Sequence, residues 1–171
     1  DQTVDPHFWT DPLAVKSLLP ALADTLCTID ADGCSTYQAN ADSFATALAS
    51  LDTQLQSLTA PVRETPVLLA QPFFRYFLHR YGPRLVDVVE PRPGTEPTPR
   101  DLQRLVREAE AAGARYILTQ RQLSDRAATA VAEPSALPLV QLDPLGGTDG
   151  RSTYAALLLD NARILRDSLA R

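Results

Sequence analysis

The sequence predicts an α/β fold in which a long linking helix precedes a four-stranded, mainly parallel sheet with helices on both faces. Two patterns carry that expectation. Tyr37, Ala41, Phe44, Leu48, Leu51, Leu55 and Leu58 alternate spacings of four and three residues without a break, which is the period of one face of an α-helix. Beyond Pro61 the pattern changes to short apolar runs: Val67-Leu68-Leu69-Ala70, Leu85-Val86-Asp87-Val88-Val89, Tyr116-Ile117-Leu118-Thr119 and Leu139-Val140-Gln141-Leu142. These lack sustained polar alternation, as strands covered on both faces do.

Taken in order, Asp11-Pro12 sets an N-cap and a proline in the first helical turn, and Val15, Leu18, Leu19, Leu22 and Leu26 follow at helical spacing. An amphipathic helix is expected there, kinked at Pro20. Ser35 with Gln38 predicts a capping-box start for the long helix, and Pro61 predicts its end. Its roughly 25 residues would span about 37 Å. Such a helix serves equally as a coiled-coil seam, a large core helix, or a rigid strut between two lobes.

Helices are expected between and after the strands over residues 72–81, 99–112, 123–133 and 153–170. Right-handed crossovers then give a doubly wound sheet, with ligands at the carboxy-terminal ends of its strands.

Composition narrows the function. With 44% hydrophobic and 22% charged residues the chain of 171 residues is of ordinary globular type, and no stretch approaches the roughly 20 consecutive apolar residues of a membrane span. The net charge is −5, and the 16 basic residues form no run. Nucleic acid is therefore excluded as a partner, since phosphate neutralisation needs clustered Lys and Arg. The chain opens on Asp1-Gln2-Thr3 with neither an initiator Met nor a signal peptide, so a mature or truncated chain is expected. Cys27 and Cys34 enclose six residues. They read as a local disulfide ahead of two free thiols, and as a zinc pair least of all, because neither His7 nor His79 stands at zinc-finger spacing.

Five polar residues fall at or near strand ends: Gln71, Glu90, Glu96, Gln120 and Asp143. Each alone reads more readily as a loop cap than as a ligand. Asp143 draws most interest, because a carboxylate after a buried strand and before Pro144-Leu145-Gly146-Gly147 can serve a divalent cation or accept backbone N–H groups. His7 sits in Asp5-Pro6-His7-Phe8-Trp9, where proline and aromatics would hold an imidazole rigidly. His79 is expected to face solvent. An enzyme is not expected: no Ser lies in a Gly-x-Ser-x-Gly turn, neither Cys is paired with a His, and no phosphate-binding glycine loop is present.

Five short matches stand in register from residue 5 to about 169: Asp5-Pro6-His7-Phe8-Trp9-Thr10-Asp11-Pro12, the long helix, Tyr76-Phe77 with Arg80-Tyr81-Gly82, Glu96-Pro97-Thr98-Pro99, and Leu142-Asp143-Pro144-Leu145-Gly146. Together they resemble the zinc/manganese-specific solute-binding proteins of ABC importers. The resemblance implies two α/β lobes bridged by one long helix, a metal held between the lobes, and delivery of that ion to membrane permease subunits.

On that resemblance, residues 1–61 are the end of a first lobe plus the amphipathic and linker helices, residues 62–171 are the carboxy-terminal lobe, and a first lobe with its own histidine lies outside the chain. The implied metal ligands are His7, Gln71 and Asp143. Gln71 replaces a more usual histidine, and Gln120 stands where many members have a Glu. A carboxamide is a weak, neutral donor, so the set His, His, Gln and Asp implies altered affinity or metal choice. A periplasmic or extracellular location is implied, with lipid anchoring as one form of it. The alternative reading is a site-degenerate paralogue acting as a surface interaction or adhesion protein. An absent first lobe would also leave apolar faces bare, which predicts a homo-dimer through residues 13–58.

Overall fold

A computed structural model describes residues 4–92, 96–147 and 151–170. After a single 3₁₀ turn at Phe8–Thr10, helix α1 spans Pro12–Ile29 and helix α2 spans Cys34–Thr59. Asp11 caps α1 by accepting from Leu13 N–H at 2.9 Å, and the helix runs without interruption through Pro20. By length and composition α1 is apolar enough to cross a membrane, which the sequence reading did not anticipate. It packs along α2 through Leu19 and Ala23 and leaves Leu18 and Leu22 exposed.

Helix α2 has 26 residues, about 39 Å at the usual rise. Its start departs from the expected Ser35–Gln38 box. Gly33 is the N-cap and no side chain caps the helix. The preceding turn is organised instead by Asp30, which accepts from Gly33 N–H and Tyr37 Oη–H and so has a carboxyl held below its usual range, chiefly by the Tyr37 bond. A Cys27–Cys34 disulfide ties the ends of the two helices, settling the cysteine alternatives.

The remaining chain alternates strand and helix: β1 Pro66–Leu69, α3 Arg75–Tyr81, β2 Arg84–Val88, α4 Pro99–Ala112, β3 Tyr116–Gln120, α5 Arg126–Ser135, β4 Leu139–Leu142 and α6 Tyr154–Leu169. The sheet order is β2-β1-β3-β4, and every described pairing is parallel. Successive side chains of a strand point to opposite faces. Accordingly Val67 and Leu69 join a core with Leu48, Leu51 and Leu55 of α2, Phe77 of α3 and Leu158 and Leu165 of α6. Leu68, with Ile117 of β3, joins a second core with Leu105 of α4 and Val131 of α5. Helices thus cover both faces, as expected.

Two differences from expectation have local causes. Burial along β4 alternates because Val140 and Leu142 face the first core while Leu139 and Gln141, on the opposite face, are left open. Helix α5 begins at Arg126 rather than 123, because residues 121–123 form a turn that carries Gln122 to Asp143. The one buried carboxylate of α2, Asp52, is satisfied by Tyr81 Oη–H and Gln56 Nε2–H, each at 2.8 Å. Burial, reinforced by that acceptor, holds the Tyr81 phenol well above its ordinary range.

Candidate metal site

Three segments meet at the carboxy-terminal edge of the sheet: the turn before α1, the β1–α3 connection and the β4–α6 loop. The first is docked onto both others. Trp9 Nε1–H donates to the carbonyl of Pro144 at 3.0 Å, and Tyr154 Oη–H donates to the carbonyl of Trp9 at 2.7 Å. Thr10 Oγ1–H reaches the carbonyls of His7 at 3.0 Å and Phe73 at 3.5 Å. Arg80 Nε–H donates to Asp11 Oδ1 at 2.7 Å, which keeps the guanidinium charged. His7, Gln71 and Asp143 therefore share one edge and are all buried.

The His7 imidazole is held on several sides. Its Nδ1–H donates to Asp5 Oδ1 at 2.6 Å, and the same oxygen accepts His7 backbone N–H at 3.0 Å. Tyr76 Oη–H fixes the Asp5 carbonyl at 3.3 Å. The ring lies 4.3 Å from Phe73 and 5.2 Å from Trp9, centroid to centroid. A carboxylate on Nδ1 sets the tautomer and leaves the Nε2 lone pair for a Lewis acid. Asp5 was not singled out from sequence, although its position two residues before His7 was a usable signal.

Asp143 is fixed by its backbone and by its side chain. Its N–H donates to Asn161 Oδ1 at 2.9 Å, and its carbonyl accepts Asn161 Nδ2–H at 2.7 Å. Oδ1 accepts from Gln122 Nε2–H (2.8 Å), Gly146 N–H (3.0 Å) and Leu145 N–H (3.1 Å). Oδ2 lies 3.6 Å from Arg151 Nη1. Burial opposes ionisation of this carboxyl, but the bonds from Gly146, Gln122 and Leu145, together with the Arg151 charge, outweigh it and hold the carboxyl below its usual range. Gly146 has φ +68°, and a Cβ there would stand 2.9 Å from the Arg151 carbonyl, so the loop that returns Arg151 to Asp143 requires glycine.

Gln71 is engaged at both ends. Its Oε1 accepts from Gln120 Nε2–H and its Nε2–H donates to Glu90 Oε2, both in short contacts. The carboxamide oxygen suggested as a ligand is thus occupied by the neighbouring strand. Glu90 and Gln71 line a cleft of about 470 Å³ with Leu102, Ser124 and Ala127, and neither His7 nor Asp143 opens into it. Glu96 is exposed and pairs with Arg126 at 3.5 Å. His79 is exposed, as expected. Among the described residues, no three His, Cys, Asp or Glu side chains are grouped to hold a metal. Gln122, Arg151 and Asn161 were not anticipated; their distance along the chain from Asp143 left no local pattern.

The same fold recurs as the larger part of longer solved proteins. A zinc-bound variant of AdcAII from Streptococcus pneumoniae superposes with a TM-score of 0.81 at 26% identity, covering 96% of this chain and 61% of that one. The model of the family described as zinc-uptake complex component A, periplasmic (ZnuA), matches residues 1–168, and the chain belongs to that family. It is 30% identical over 168 residues to the high-affinity zinc uptake system protein ZnuA of Paracoccus denitrificans, covering 96% of this chain and 52% of the relative. It is also 30% identical over 105 residues to the manganese-binding lipoprotein MntA of Halalkalibacterium halodurans, covering 60% of this chain and 35% of that protein. The chain spans about half the length of the zinc-uptake relatives it matches.

Proposed function

We propose that the chain is the linker helix and carboxy-terminal lobe of the solute-binding component of an ABC importer for a divalent transition metal, zinc or manganese. Residues 1–61 are then the end of a first lobe with α1 and α2, and residues 62–171 are the second lobe. The protein binds the ion as cargo between lobes in the periplasm or outside the cell, passes it to membrane permease subunits, and performs no chemistry on it. The observation that carries this reading is His7, whose Nδ1 is committed to Asp5 at 2.6 Å and whose ring is clamped beside Phe73 and Trp9. A metal-ligating histidine characteristically has such a carboxylate on its other ring nitrogen. His7 through Nε2 and Asp143 through Oδ2 are the proposed ligands that this chain supplies. Gln71 is the third, and it must release Gln120 to coordinate.

Calorimetric titration of the complete protein with zinc and, separately, manganese tests the proposal. A specific one-to-one site for either ion is expected; no heat with both overturns the reading. The second reading, a paralogue that acts as a surface interaction or adhesion protein without transport, draws support from Gln71 and Gln120 being tied to each other, and absence of metal binding is its expected outcome.

A further inference from the structure

Among the described residues Arg151 is the cation paired with Asp143, and neither family membership nor the ligand assignment accounts for it. Its side chain is 15% exposed and that of Asp143 is 4% exposed. Nε–H donates to Asp160 Oδ2 at 2.5 Å, while Nη1 is buried, has no hydrogen-bond partner among the described residues, and stands 3.6 Å from Asp143 Oδ2. The two Asp143 oxygens are thus treated differently. Oδ1 receives three neutral donors, and Oδ2 faces a positive charge too far away to bond it. A buried carboxylate needs a counter-charge, and here a side chain of the same chain supplies it at the oxygen left free for a metal.

We propose that Arg151 is a resident counter-cation which an incoming divalent ion must displace from Asp143, so that it sets the affinity threshold of the site. The inference rests on the metal-receptor reading above. A metal bound to Oδ2 at about 2.0–2.2 Å would stand close to Nη1, and two like charges at that separation in a buried site repel strongly. Arg151 has somewhere to go. Asp160 holds Nε and is itself one-third exposed, so the guanidinium can turn towards solvent without losing its carboxylate. Its backbone need not follow, because Gly147 N–H donates to the Arg151 carbonyl at 3.0 Å and closes the loop. The ligand class is a small divalent cation, whose two charges replace the one it expels.

The test is zinc titration of the wild-type protein and of Arg151→Met and Arg151→Lys variants. Arg151→Met, which keeps the length and loses the charge, should bind zinc at least about tenfold more tightly, and Arg151→Lys should stay within about threefold of the wild type. A packing role would move both variants alike. Equal or weaker zinc binding by Arg151→Met overturns the inference and leaves the receptor reading standing. No zinc binding by any of the three overturns the receptor reading, and the displacement with it. A metal-free cycle of Arg151→Met and Asp143→Asn, read by melting temperature, should be non-additive; strict additivity contradicts the pairing.

Discussion

His7 donates its Nδ1–H to Asp5 Oδ1 over 2.6 Å, and the same carboxylate oxygen accepts the His7 backbone N–H at 3.0 Å. One carboxylate therefore fixes both the turn and the tautomer of the imidazole. Replacing Asp5 by Asn keeps an acceptor but lets the amide turn a donor towards the ring. Zinc affinity should fall by about ten- to a hundredfold with the circular dichroism spectrum unchanged. Unaltered affinity would mean that Asp5 serves the turn alone.

Asp143 predicts a pH dependence. Its folded carboxyl titrates below the unfolded value of about 3.9, so its stabilisation is complete above that value and is lost as pH falls through the lower, folded one. Asp143→Asn should cost about 1–2 kcal/mol at pH 7, and the difference should shrink as pH falls below the unfolded value and the wild-type carboxylate protonates. Urea unfolding of both proteins from pH 7 to pH 2 measures this. A gap that stays constant contradicts it.

The Cys27–Cys34 disulfide closes a short loop between α1 and α2. Replacing both cysteines by serine should lower stability by about 2 kcal/mol through the freed unfolded chain, and the loss should be seen first as faster hydrogen exchange in residues 24–40. Identical melting of oxidised and serine proteins would show that helix packing alone holds the hairpin.

Helices α1 and α2 leave Leu18, Leu22 and Phe44 exposed at 48%, 55% and 40%. Apolar faces of this kind associate when nothing covers them, and we propose that the 171-residue chain pairs with a second copy through residues 13–58. Light scattering at high concentration should give twice the 18.6 kDa of one chain, and Leu22→Glu combined with Phe44→Glu should return it to a single chain. A clean monomer at high concentration contradicts the prediction.

Much of the fold was legible because it rests on periodic burial. The spacing from Tyr37 to Leu58 identified α2, and the run around Leu68 identified a strand buried on both faces, as its neighbours in the two cores bear out. The start of α2 was misplaced because its turn is governed by Asp30, which belongs to the end of the preceding helix. In α1 the apolar period from Val15 to Leu26 reported a helix but not its burial: Leu19 is covered while Leu18 and Leu22 are not. The candidate site was legible only in part. His7 and Asp143 stand in short motifs, whereas Arg151, Gln122 and Asn161 reach Asp143 through the packing of α6 and of the turn before α5. Such partners carry no fixed spacing.

The most direct measurement is X-ray absorption at the zinc edge of the complete protein loaded with one equivalent of zinc, compared with its His7→Ala and Asp143→Ala variants. Nitrogen and oxygen neighbours at about 2.0–2.2 Å from the zinc are expected, with one imidazole lost in His7→Ala and one oxygen lost in Asp143→Ala. Identical zinc neighbours in all three proteins would contradict that expectation.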